Sequence, residues 1–285
     1  MTSSLIESLT LAKKLLPIYF LIPAFISGVI GGCLNVIIFL SLKIFRQNSC
    51  AFYLMIMSAF DVGRFFINIL PYIMRWGFGM DWGISSLDFC KLRLCTSSIA
   101  TLSSMTCFCF AAIDRYFATS TSVRWQRWCN IKLAYCLSTI FIFIWILQGI
   151  PYVVFHNHVI SPTTNKIACQ VTNNIFNQYL TYGYYPTLLT LLPLITVIFG
   201  LMAYYNARHS SHRTVPLVQR ELDKQLTVMV LIQVFISFCT TIPYSTNNIY
   251  AISASQQSDP TVLAIQGLVG GCATAICILN IAVRI

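Results

Sequence analysis

Apolar positions along the chain gather into long runs separated by short polar segments. Residues 17–42, 50–74, 87–119, 131–155, 181–205, 225–250 and 261–283 each hold an apolar stretch of spanning length. A membrane-crossing helix needs about 20 such residues. The third run is the least uniform, because its first turns carry Lys91 and Arg93. Pro71, Pro151, Pro193 and Pro243 fall inside runs. In water they would argue against helix; in a bundle, neighbouring helices satisfy the freed backbone groups. The pattern predicts an all-α membrane protein, a seven-transmembrane helix bundle over 17–283. Residues 1–16 are expected to form an extracellular N-terminus, and 284–285 a truncated cytoplasmic end.

Composition narrows the class. Hydrophobic residues make up 57% of the chain and charged ones 9%, where a soluble domain carries about 25% charged. The spans leave short loops and no room for a separate catalytic or nucleotide-binding domain. The first run is longer than a signal-peptide core and lacks a small-residue cleavage site after it, so it is expected to be retained. A net charge of +10 would suggest nucleic acid in a soluble protein. Here it reads as the cytoplasmic excess of Lys and Arg in membrane proteins, and no nucleic-acid partner is expected. Around the first run the count is balanced, Lys13 and Lys14 against Lys43 and Arg46. Arg124, Arg127, Lys132, Arg208, Arg213, Arg220 and Lys224 then outweigh Arg75, Lys91, Arg93 and Lys166, which places the N-terminus outside.

Other classes find little support. The cysteines include no CxxC pair and no zinc spacing. No internal repeat suggests a transporter. Only Asp61 and Arg64 lie mid-membrane, fewer ionisable groups than a transport path wants. His156, His158, His209 and His212 all lie in loops, and the spans hold no protease-type pair. No enzyme and no metal site are expected.

The chemistry-bearing residues are Asn35 in Gly-Gly-Cys-Leu-Asn-Val, Asp61 mid-way along the second run, and Asp114-Arg115-Tyr116 near the inner end of the third. Cys90 opens that third run, and Cys169 sits in the outer loop after the fourth. Trp145, Pro193 and Pro243 complete the ordered set. Over essentially its whole length the chain resembles a rhodopsin-like (class A) G-protein-coupled receptor, leaning to the invertebrate peptide or chemosensory type. It departs from that pattern in places. Thr240-Thr241-Ile242-Pro243 stands where the family has Cys-Trp-x-Pro, and Leu201 where it has a tyrosine. Leu279-Asn280-Ile281-Ala282 stands where it has Asn-Pro-x-x-Tyr.

The resemblance implies a function and a set of roles. The function is transduction of an extracellular signal, a peptide or small polar molecule, to a heterotrimeric G protein from the plasma membrane. A non-signalling seven-span receptor or decoy is the alternative, with a transporter or channel behind it. Cys90 and Cys169 would form a disulfide on the oxidising outer face, or else remain two free thiols. Asp114, Arg115 and Tyr116, with Asp223 and Pro243 in the sixth run, would form the activation switch. Asp223 could instead pair with Arg220 or Lys224. Asn35 and Asp61 would hold a sodium ion, unless Arg64, one turn on, forms an ion pair with Asp61. No other cofactor is implied. Arg93, Ser97, Tyr182, Tyr185, Tyr244, Asn247 and Gln266 are the candidate ligand residues; the tyrosines could equally belong to an interfacial belt. The seventh run has no lysine for a retinal Schiff base, and Ser97 stands where amine receptors carry aspartate.

Overall fold

The computed structural model describes residues 8, 11–12, 14–15, 17–120, 122–160, 167–187, 191–209, 217–253 and 260–284. Its long helices are α1 (Ile22–Ser41), α2 (Ser49–Arg64), α3 (Leu87–Thr119), α4 (Ile131–Phe155), α5 (Leu192–His209), α6 (Leu217–Ser253) and α7 (Pro260–Arg284). Among the described residues, six helices are long and apolar enough to cross a membrane. The fifth apolar run is covered by α5 together with the helical segments Asn174–Tyr179 and Leu180–Tyr184 ahead of it. That run therefore begins earlier than the sequence pattern suggested. The loop between α4 and those segments is not irregular throughout. Strands β1 (His156–Ile160) and β2 (Ile167–Val171) pair antiparallel, with His158 opposite Cys169.

Local chemistry sets the helix starts. Asn48, Ser86 and Asn130 stand in extended backbone just before α2, α3 and α4. Each side-chain oxygen accepts a backbone N–H of the first turn, satisfying a donor the helix cannot. Three π-helical turns have a shared cause. Pro17–Leu21, Phe65–Ile69 and Leu180–Tyr184 each end two residues before a proline, Pro23, Pro71 and Pro186. A proline ring clashes with the carbonyl four residues back and donates no N–H. That carbonyl lies inside the widened turn in all three cases, and widening relieves the clash.

α3 is the axis of the bundle. It packs against α2, α4 and α5; α6 lies between α5 and α7, and α1 covers α2 and α7. Ala111 and Ala112 are fully buried and let neighbouring backbones come close to α3. Around Ala111 lies one core, with Leu54, Met57, Cys107, Phe108, Val230 and Val234. A second joins Leu21, Phe65 and Ile69 of the first two π turns with Ala275 and Ile278 of α7. Gly28 of α1 faces the Phe65 ring so closely that a β-carbon would lie inside it. Ile26, Ile30, Ile37, Phe143, Leu147 and Phe235 are exposed on the outside of the bundle, where lipid takes the place of water.

Candidate functional site

Two sites occupy opposite ends of α3. At its C-terminal end Asp114 and Arg115 are both buried. Asp114 Oδ1 accepts a hydrogen bond from Ser49 Oγ at 2.5 Å, and Oδ2 pairs with Arg115 Nη2 at 3.0 Å. The same Nη2 donates to Asn48 Oδ1 at 3.1 Å. The N-cap of α2 thus holds the arginine as well as its own first turn. Tyr116 lies against Phe199 of α5, ring centroids 5.4 Å apart. The following loop wraps this cluster. Cys129 Sγ donates to the Asp114 carbonyl at 3.4 Å, and Trp125 stacks on Phe117 at 5.1 Å. Burial, with the Asp114 carboxylate next in effect, pushes the Cys129 thiol well up, so it stays protonated. Pro243 lies inside α6. The side chain of Asp223, the expected partner of Arg115 from α6, lies outside the described residues.

Asp61 sits fully buried in α2. Its Oδ1 meets Arg64 Nη1 at 3.2 Å and accepts from Ser104 Oγ of α3 at 2.7 Å. Its Oδ2 has no hydrogen-bond partner among the described residues, nor do the hydroxyls of Ser58 and Ser103. Asn35 is half-buried on α1. These residues do not fit a sodium ion as they stand. Arg64 already supplies one positive charge to the one carboxylate there, and a second cation would enter a buried, neutral pair.

At the N-terminal end of α3, Cys90 in its first turn is joined by a disulfide to Cys169 of β2, with a Cα–Cα distance of 6.4 Å. A ring nitrogen of His158 in β1 hydrogen-bonds the Gly83 carbonyl at 2.8 Å, tying the hairpin to the top of the bundle. Below lies a cavity of about 440 Å³ walled by α2, α3, α4, α6, α7 and the Leu180–Tyr185 segment. Arg93, Ser97, Tyr185 and Tyr244 of the expected ligand set line it. Asn68 Nδ2 donates to Ser97 Oγ at 2.8 Å and fixes it against α2.

Three expected ligand residues do not line this cavity. Tyr182 is 79% exposed. It lies in the π turn ahead of Pro186, and the residue that the widened turn adds rotates the register by about 100°. Tyr184 and Tyr185 turn inward instead. Asn247 packs on Gly270 of α7, and Gln266 is half-buried outside the cavity wall. Arg64, Asn68, Tyr152 and His156 are wall residues that sequence reasoning did not place there. For Arg64 the signal was present: a charge in an apolar run turns toward the interior of a bundle. His156 Nδ1 lies 3.1 Å from the Tyr152 carbonyl, and its ring stacks on Tyr152 at 5.4 Å. Burial holds its pKa below the ordinary 6.5, so the imidazole is neutral and Nδ1 carries the proton donated to that carbonyl.

The model of the family described as 7 transmembrane receptor (rhodopsin family) matches residues 32–280. No individual curated protein matches the chain. The matched stretch holds Asp61, Cys90, Asp114-Arg115-Tyr116, Cys169 and every wall residue of the cavity except Ile281. The chain belongs to the rhodopsin family of seven-transmembrane receptors, a multi-pass membrane protein with a seven-helix bundle.

Proposed function

We propose that this receptor binds an extracellular ligand in the cavity beneath the β hairpin and passes the signal to a heterotrimeric G protein at the face around Arg115. One observation carries the reading. A single helix, α3, presents a walled cavity at one end and, at the other, a buried arginine held by Asp114 and Asn48. A ligand that prefers one packing of the helices around α3 shifts the population of the other end as well. The Lys and Arg of the inner loops and the outer disulfide support an N-terminus outside and a plasma-membrane location. The test is nucleotide exchange on purified heterotrimers by membranes carrying the chain, compared with Arg115→Ala. Exchange above empty membranes that disappears in the variant supports coupling. No exchange by the intact chain with any heterotrimer sinks it.

A non-signalling receptor is the second reading. It is favoured by the end of α7, which lacks the family's Asn-Pro-x-x-Tyr. There Asn280 is buried, with Ser237 Oγ of α6 3.5 Å from its Oδ1. In that reading the cavity still takes ligand, and exchange stays at the level of empty membranes.

A further inference from the structure

The cavity wall carries two guanidinium groups, Arg64 and Arg93, and no carboxylate among the described residues. The first is matched: Arg64 pairs with Asp61, which sits behind the wall. The second is not. Among the described residues no carboxylate lies within ion-pair distance of Arg93, and its buried Nε has no hydrogen-bond partner. The nearby Asp81 is engaged by Arg75 at 2.8 Å. Burial of an unpaired charge is costly, and among the described residues no carboxylate compensates this one.

The rest of the wall is graded. Near Arg93 it is polar, with Ser97 and Ser98 on the next turn of α3. Deeper it is mixed: Met105, Ile278 and Ile281 are apolar, and Thr101, Thr241 and Arg64, whose charge Asp61 neutralises, stand among them. Arg93 and Met105 are both wall residues on one helix, and the α-helical rise sets their separation along the axis at about 18 Å. A volume of about 440 Å³ lies in the range of small-molecule sites.

We propose that the cavity takes an amphipathic organic anion, its carboxylate on Arg93 and its apolar body directed toward Met105 and Ile281. The inference rests on the reading of this cavity as the ligand site and names the chemistry of the ligand. A planar guanidinium forms two parallel hydrogen bonds to a carboxylate, a geometry an amide or ester cannot reproduce. The carboxylate can come from a free organic acid or from the C-terminus of a short peptide, and both present the same group to Arg93.

The experiment reads the cavity directly, without a G protein. Ser97→Cys in the full chain, in membranes, is labelled with methanethiosulfonate reagents of opposite charge, and the rate of the parent chain is subtracted. Relative to a free thiol in solution, the sulfonatoethyl reagent should gain on the trimethylammonium reagent by on the order of tenfold, as expected near one uncompensated positive charge. Adding Arg93→Gln should abolish the preference, and Arg93→Lys should keep it, which separates charge from misfolding. Equal or faster reaction of the cationic reagent, or a preference that survives Arg93→Gln, overturns the proposal.

The second arm is protection from labelling. Hexanoate to decanoate, phenylalkanoates, and short apolar peptides with free C-termini are each compared with the matching primary amide. Acids should slow the reaction where amides do not, and the effect should vanish in Arg93→Gln. Protection by peptides alone keeps the carboxylate and assigns it to a peptide. Equal protection by acid and amide, or no protection by any acid at millimolar concentration, overturns the proposal. Acid protection without any G-protein response would instead sink the coupling reading and leave this one standing.

Discussion

The intramembrane charges show how much one side chain decides. Asp61 is fully buried, and Arg64 is its counter-charge. Removing one member of a buried pair leaves the other uncompensated, at a cost of about 3–5 kcal/mol. Arg64→Leu should therefore lower the melting temperature of the detergent-purified chain strongly. Asp61→Asn combined with Arg64→Leu should recover most of the loss, because no lone charge remains. The same geometry predicts that ligand affinity in sodium equals that in a bulky organic cation. Arg64→Gln should introduce a sodium dependence by freeing the carboxylate, and a sodium effect in the parent chain would contradict the pair. His156 gives a pH signature. Burial holds its pKa below 6.5, opposed in part by the Tyr152 carbonyl and assisted by Lys91. As pH falls below 6.5 the unfolded chain takes the proton before the folded one does. Stability contributed here is present above that pH and declines beneath it. His156→Gln should flatten the slope of melting temperature against pH between 6.5 and 5; an unchanged slope assigns it to other groups.

At the scale of elements, caps separate a structural role from a functional one. Asn48 and Asn130 are both N-cap asparagines, of α2 and α4. Loss of either cap costs about 1 kcal/mol. Only Asn48 also holds Arg115. Asn48→Ala should raise basal nucleotide exchange, whereas Asn130→Ala should lower the melting temperature similarly and leave exchange alone. Equal exchange in the two variants would mean that the contact to Arg115 restrains nothing. The same elements mark what the sequence could tell. α3 and α4 have the limits read from it, because a capping residue and an apolar run begin together at Ser86 and Asn130. The segment before α5 was hidden for a physical reason. Asn173 caps a helix that starts at Asn174, outside the apolar run, so hydropathy alone marks it as loop. The strands were hidden too: β1 and β2 have five residues each, and their pairing is set by a contact between distant segments. Within the cavity, Arg93 and Ser97 were legible from their place below Cys90 on a regular helix. Tyr182 was not, since its direction depends on the π turn forced by Pro186.

Across the whole molecule, the two ends of α3 give a test of whether they belong to one equilibrium. α3 has 33 residues, so at 1.5 Å per residue Cys90 and Asp114 stand about 36 Å apart. The Cys90–Cys169 bridge closes a loop with a sequence separation of 79, which in the chain-entropy model stabilises by about 4.5 kcal/mol. Cys169→Ser and Asn48→Ala thus act on opposite ends, and at that distance their effects on stability should add within about 0.5 kcal/mol. Ligand affinity should behave differently. If Asn48 restrains the resting arrangement of a two-state bundle, Asn48→Ala raises the share of the state that binds activator better. Affinity at the outer cavity then rises although no cavity residue has changed, by a factor bounded by the shift in population. Linkage requires the converse as well: a heterotrimer bound at the inner face should tighten the outer site by the same factor by which ligand tightens the inner one. The measurement is protection of Ser97→Cys by the best carboxylate of the panel, in Asn48→Ala and in the parent, with and without heterotrimer. Raised basal exchange in Asn48→Ala with no change in that protection would show that the inner end moves alone, and that the two sites share a helix without sharing an equilibrium.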